Sequence, residues 1–345
     1  MGSRLLAYSG LATKVKAMRS HLITDKEFQM LASYHSVQDF AQYLKNHPAY
    51  ENQFARFDST ELHRGEMERI LRDSVYNDYL RLYHFADQEQ RAFLKLYFTR
   101  YEVQVLKFCL RKIFDAQSST LDLGKFYSFF EKHSTIQLPK AVASSSIEEL
   151  EESLKGSLYT KIFQMVDSSA SLTLFDYEIA LDLLHFTDIW KQVNKLPNPT
   201  ERKVLTDTYG SQMDLLNIQW IYRSKRYYKI SADDLYHLII PIHYKLHKHT
   251  ISSMVEAETA EEVLVLLQNT YYAKQFQETE MPSLERMYHN ILGELYEHAV
   301  RKYPYSVACI SSYLYKKELE VNRLTSVLEG IRYRLPTERI LKIIM

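Results

Sequence analysis

The chain repeats itself three times, at a period of about 110 residues. Ser36-Val37-Gln38-Asp39-Phe40, Ser146-Ile147-Glu148-Glu149-Leu150 and Thr259-Ala260-Glu261-Glu262-Val263 open three similar segments, 110 and 113 positions apart. The second and third run on in register through Leu154/Leu267, Tyr159/Tyr272, Lys161/Lys274 and Phe163/Phe276; the first follows with Leu44, Tyr50 and Phe54 after one extra residue near Pro48. A period this long describes domain-sized copies, not the 20–50-residue units of a stacked solenoid. A second element keeps the same spacing: Glu102-Val103 with Leu106 and Arg111, Asp214-Leu215 with Ile218 and Arg223, and Glu320-Val321 with Leu324 and Glu329. Three similar bodies can reuse one interface around a pseudo-threefold axis, as true oligomers do. The recurring acid at 102, 214 and 320 invites a ring of carboxylates on that axis. The other reading is an ordinary pairing with a neighbouring helix, and the sign change at Glu329 speaks against a strict charge ring.

Helices are the expected material. Only eight glycines and eight prolines interrupt 345 residues, well below average usage of about 7% and 5%. Ser/Thr-x-x-Glu/Asp starts stand at Thr24, Ser36, Ser146, Ser231 and Thr259, where a hydroxyl can satisfy an orphan amide and the acid can reach back. Apolar residues recur every three or four positions through 67–82, 93–113, 172–193 and 284–300, which predicts long amphipathic helices. Small, polar or Pro-containing stretches at 115–120, 137–145, 194–199 and 278–283 are read as breaks. The expected architecture is all-α, with three helical domains over 1–139, 140–250 and 251–345 whose boundaries are soft.

Charge and chemistry exclude several roles. Lys plus Arg and Asp plus Glu number 43 each, so no global field draws the chain to nucleic acid or to an anionic membrane. No run approaches the ~20 apolar residues that cross a bilayer, and Cys109 and Cys309 lack metal-site spacing, so a soluble protein of a reducing compartment is expected. Gly124-Lys125 has Ser119 where a phosphate loop needs glycine and Phe126 where it needs Ser or Thr. No nucleophile motif or dinucleotide fingerprint occurs, so no catalytic residue and no cofactor is assigned. His243 and His247 would share a face if their segment were helical, but Tyr244 and Lys245 stand where a zinc protease needs its acid. A solvated basic turn is the preferred reading, and no metal is assigned.

Two cationic stretches remain. The first 24 residues carry Arg4, Lys14, Lys16 and Arg19 without an acid, a face that is either solvated or turned to headgroups or an acidic subunit. Arg223, Lys225, Arg226, Tyr227 and Tyr228 interleave cations with aromatics, the composition of interface anchors. The competing reading is a helix end whose cations complement the macrodipole.

Four segments carry a resemblance: Tyr8…Lys14-Val15-Lys16-Ala17-Met18-Arg19…Leu22, Tyr101-Glu102…Leu106-Lys107…Leu110-Arg111, the Asp214 to Tyr228 stretch, and Pro304-Tyr305-Ser306-Val307 through Lys317-Glu318-Leu319-Glu320-Val321-Asn322-Arg323-Leu324 to Ile340. The chain resembles, over nearly its whole length, the C subunit of bacterial and archaeal A/V-type ATPases, related to the d subunit of the vacuolar enzyme. That resemblance implies a funnel of three helical domains without catalytic residues. It would sit peripherally at the cytoplasmic face, between the central shaft and the membrane rotor ring, transmitting torque for proton or sodium transport. The isolated protein is expected to be a monomer that binds no nucleic acid. A generic helical docking scaffold outside any rotary motor is the alternative.

Overall fold

The computed structural model describes residues 2–54, 64–115, 121–166, 172–276 and 284–344, apart from the side chains of residues 2–4, 64, 275, 276 and 285. Among the described residues every regular element is helical and no strand occurs. Seven helices are long: α1 (Gly2–Arg19), α2 (Arg64–Phe85), α3 (Gln88–Asp115), α4 (Leu174–Asn194), α5 (Pro199–Arg223), α6 (Leu284–Lys302) and α7 (Val307–Arg332). The predicted spans at 67–82, 93–113, 172–193 and 284–300 correspond to α2, α3, α4 and α6. The reading of 137–145 as a break needs correction. Leu138–Ala143 forms a short helix there, because Pro139 in its first turn gives up an amide that would have no partner anyway.

Local chemistry starts five helices where the sequence marks them. The hydroxyls of Thr24, Ser36, Ser146, Ser231 and Thr259 each accept the amide three residues on. The capping box closes fully at Thr24, whose own amide donates to Glu27 at 2.7 Å. In the third copy Glu262 reaches one residue further, to the amide of Glu258 at 2.9 Å.

Chain order repeats with the sequence. Each copy runs through a short helix (Asp25–Ala32, Leu138–Ala143, Lys248–Glu256), then a capped helix (Val37–Asn46, Ile147–Ser153, Ala260–Leu267), then a brief turn of helix (Glu51–Phe54, Leu158–Lys161, Ala273–Phe276). Two long helices follow, α2 and α3, α4 and α5, or α6 and α7. The repeated apolar positions are core: Phe40, Leu44, Leu150, Leu154, Val263 and Leu267 are each at most 1% exposed. Phe163 is half-buried, and the Phe276 side chain lies outside the described residues.

The chain divides into two compact units, one of Met1–Arg91, Asp122–Phe129 and Val300–Met345, the other of Ala92–Leu121 and Phe130–Ala299. In the first, the terminal helices close on each other: α7 packs along α1, α2 and the Asp25–Ala32 helix. Tyr8, Leu11, Ala12, Val15 and Met18 give α1 its buried stripe. Stacked Tyr76 and Phe126, 4.4 Å apart, bring the Asp122–Phe129 segment onto α2. In the second unit, α4 and α5 form an antiparallel pair joined by Asn198, whose side chain caps α5 ahead of Pro199. Lys107 and Arg111 of α3 reach Asp182 and Glu178 of α4, each at 2.7 Å.

Candidate docking surface and the repeated buried carboxylates

The two recurring sequence elements meet in space. Glu102, Asp214 and Glu320 lie in the middle of α3, α5 and α7 and are all buried. Each accepts a hydrogen bond from a repeated tyrosine: Tyr159 Oη to Glu102 at 2.9 Å, Tyr272 Oη to Asp214 at 3.0 Å, and Tyr50 Oη to Glu320 at 2.5 Å. Each also takes donors from the loop that enters the same short-helix cluster. Ser134 Oγ donates to Glu102, the amides of Tyr244, Lys245 and Leu246 donate to Asp214, and the Ile23 amide donates to Glu320. The carboxylate therefore ties the start of a cluster to its end, across the helix on which the cluster packs. A buried carboxylate without such donors would be costly.

The third partner varies from copy to copy. One turn before Glu320, fully buried Lys317 donates to both Tyr50 Oη and Glu320, at 2.9 and 2.8 Å, and its ammonium sits 4.0 Å from the Tyr50 ring centre. The equivalent residue before Asp214 is Ser211, whose side chain hydrogen-bonds Tyr272. Before Glu102 it is Thr99, whose carbonyl accepts from Tyr159. Burial raises the Glu102 and Asp214 carboxyls above the ordinary range, with their hydrogen bonds pulling the other way. Burial and the partner carboxylate push Tyr50, Tyr159 and Tyr272 well above 10. These groups are locked structural pairs. A ring of open carboxylates is not what the fold builds, because each acid is enclosed and spent on its own cluster.

The pairing is also offset along the chain. Tyr159 and Tyr272 bond acids on the long helix that precedes them, and Tyr50 bonds the acid of the last long helix. The sequence displays both elements without joining them, although an acid set among apolar residues implies a donor nearby.

The cationic and aromatic stretch lies at the surface. Helix α5 ends at Arg223, and Ser224–Tyr228 widens into one π turn closed by Lys229 at φ 50°. Left-handed backbone costs a non-glycine residue roughly 1–2 kcal/mol, and π turns are frequent where a helix serves a site. Tyr227 and Tyr228 are 68% and 69% exposed, edge to face with each other at 6.5 Å. Arg223 is exposed and Lys225 half-buried. Arg226 Nη1 meets Glu261 Oε1 at 2.8 Å in an exposed pair, worth about 0–1 kcal/mol. Lys225, Arg226 and Lys229 share a shallow cavity of about 380 Å³ with the N-terminal end of the Ala260–Leu267 helix. Arg223 lies in the last turn of α5, and Lys225 and Arg226 lie in the last turn of the π segment that continues it, so a helix-end role fits all three cations and leaves the exposed Tyr227 and Tyr228. Lys229, the last cation of the same basic stretch, and Glu261 belong to the same surface; Glu261 carries no compositional signal, though it stands in the repeated segment.

His243 and His247 lie on no helix: the stretch from Ile240 to His247 is irregular, because Asp214 draws three of its amides. His247 stacks on His249 at 5.8 Å. Among the described residues no group of three His, Cys, Asp or Glu side chains is placed to hold a metal ion. Both cysteines are buried free thiols, and burial pushes Cys109 up to about 12. No described helix is long and apolar enough to cross a membrane.

A family model described as ATP synthase (C/AC39) subunit matches residues 11–343. Similar proteins span nearly the whole chain. The C subunit of the A-type ATP synthase of Pyrococcus abyssi is 24% identical over 346 residues, covering 96% of this chain and 89% of its own. That of Pyrococcus furiosus is 22% identical over 347 residues, covering 98% and 90%. That of Methanothermobacter thermautotrophicus is 22% identical over 331 residues, covering 92% and 82%.

Proposed function

The chain belongs to the ATP synthase (C/AC39) subunit family, and from that premise we propose that it is a non-catalytic coupling subunit joining the central shaft of an A/V-type ATPase to its membrane rotor ring. The observation that carries the reading is the family match over residues 11–343, with relatives named as C subunits of A-type ATP synthases aligned across the same length. Three tyrosine–carboxylate ties of one design support a body built from three similar helical parts, each taking its acid-bearing helix from one copy and its short-helix cluster from the next in cyclic order. A funnel of such parts would offer a partner several equivalent rims. A part that transmits torque needs stiff cross-links between its helices, and buried charge-assisted hydrogen bonds supply them. The protein would act at the cytoplasmic face as a peripheral subunit, without a nucleotide of its own.

The partner contact is proposed at Arg223, Lys225, Arg226, Tyr227 and Tyr228. Exposed aromatics beside surface cations make anchors for an acidic partner surface. The double variant Arg223→Ala with Arg226→Ala should weaken binding to the purified shaft or ring and flatten its salt dependence, with unchanged circular dichroism. Unchanged affinity and salt slope for both partners would remove these residues from the interface. The coupling role itself is tested by reconstitution. The whole ATPase assembled without this protein should hydrolyse ATP without moving ions, and adding it should restore ATP-driven transport; transport at full rate without it would refute the role.

A further inference from the structure

The first unit holds a cavity of about 410 Å³ between α2 and the Asp122–Phe129 segment. Its depth is rich in unanswered acceptors. Asp73 Oδ1 and Gln53 Oε1 are both buried without a hydrogen-bond donor among the described residues. Buried acceptors of this kind are normally satisfied, and a carboxylate oxygen enclosed with no donor calls for a cationic one. Stacked Tyr76 and Phe126 give the cavity an apolar wall. The mouth has the opposite sign, with exposed Arg81 and Lys125. Arg81 is partly held by Asp78 at 3.3 Å. A simple cation would meet this rim unfavourably, and a simple anion would meet Asp73.

We propose that this cavity binds a small zwitterion carrying a primary ammonium, which donates to Asp73 and Gln53 at the bottom, and a carboxylate or phosphate end that faces Lys125 at the mouth. The size is sufficient for such a ligand, within the range of ordinary small-molecule pockets. Burial, then neighbouring Asp122, raises the Asp73 carboxyl to about 6, opposed by Arg72 and Arg69. Asp73 is therefore charged above that pH and protonated below it. Ammonium binding should accordingly weaken on acidification from pH 7.5 to 5.

The test is titration calorimetry of the full chain with γ-aminobutyrate, using butylamine and butyrate as its two single-charge halves. The expected result is saturable γ-aminobutyrate binding, with each half at least tenfold weaker. Asp73→Asn should weaken it tenfold or more and leave the thermal midpoint unchanged or higher, since it removes a buried charge whose inner oxygen lacks a donor. Lys125→Gln, at an exposed position that cannot affect folding much, should weaken γ-aminobutyrate severalfold and leave butylamine unchanged. Affinity should fall about tenfold per pH unit below 6. The proposal is overturned if γ-aminobutyrate shows no binding at 50 mM, if either half binds as well, or if Asp73→Asn and Lys125→Gln leave its affinity unchanged. None of these outcomes depends on shaft or ring, so the coupling role stands or falls separately.

Discussion

Replacing Tyr272 by Phe removes one hydroxyl from a fully enclosed site and leaves the ring's packing in place. The hydroxyl donates to Asp214 Oδ2 at 3.0 Å, and Asp214 is 0% exposed. A hydrogen bond to a charged group contributes about 1.5–3 kcal/mol. For a unit of this size that corresponds to roughly 3–12 °C in melting temperature. The three amides of residues 244–246 remain, so the carboxylate is not orphaned and a larger loss is not expected. The deficit should depend on pH. Burial already holds the folded Asp214 carboxyl above its ordinary value, so its contribution to stability is present below the unfolded pKa of about 3.9 and is lost as pH rises through the folded value. Losing a donor to the charged form raises the folded value further. The variant's deficit should therefore be largest at pH 7.5 and smaller at pH 4.5, moving towards the about 0.5–1.5 kcal/mol of a neutral hydrogen bond as acid protonates the carboxyl. Urea unfolding at both pH values, followed by tryptophan fluorescence and circular dichroism, measures it. Tyr228→Phe, at an exposed ring, is the control and should stay within about 0.5 kcal/mol. A Tyr272→Phe deficit below that at pH 7.5, or one that grows towards acid, would refute the account of the tie.

Two further substitutions probe packing. Leu154→Ala should cost roughly 2–5 kcal/mol, as a fully buried leucine at a repeated core position; equilibrium unfolding that finds a loss below about 1 kcal/mol would mean the site is not core. Gly210 and Gly293 both interrupt long helices, and helix propensity alone favours alanine at each by about 1 kcal/mol. At Gly293 an added Cβ meets nothing within 4 Å, so Gly293→Ala should raise the melting temperature. At Gly210 it would lie 2.5 Å from Tyr244 Cγ, so Gly210→Ala should lower it through overpacking. The same sign for both would contradict the packing of α5 against residues 240–247.

Much of this fold is legible in the residues because its signals are local. The five helix starts depend on one side chain and one amide three positions on, and all five occur as read. Phe40, Leu150 and Val263 are buried because a 3.6-residue period leaves one face apolar. The helix at Leu138–Ala143 is not legible because Pro139 and the serines at 144–146 read as punctuation, whereas burial of Leu138 and Ala141 and the Lys112 ammonium on the Val142 carbonyl anchor it. The wiring of the repeats is hidden for a deeper reason. Periodicity fixes spacing and carries no phase, so by spacing alone Tyr159 could equally belong with Asp214 as with Glu102. At the proposed docking surface, Arg226, Tyr227 and Tyr228 stand out by composition. The π turn that displays them, and the Glu261 that holds Arg226, depend on tertiary geometry that composition does not encode.

The bonds from Ile23 and Tyr50 to Glu320 span 297 and 270 residues of chain. A ribosome making this protein therefore delivers the first cluster long before the helix that completes it. During that interval Tyr50 and the Ile23 amide have water in place of their carboxylate, while the clusters around Glu102 and Asp214 emerge with their acids already made. Assembly should accordingly run out of sequence order: the middle of the chain can settle as it appears, and the beginning waits for the end. A chain cut short before α7 would lose far more than its last helix. It would leave residues 23–54 as an unfinished surface, the kind that chaperones and proteases recognise.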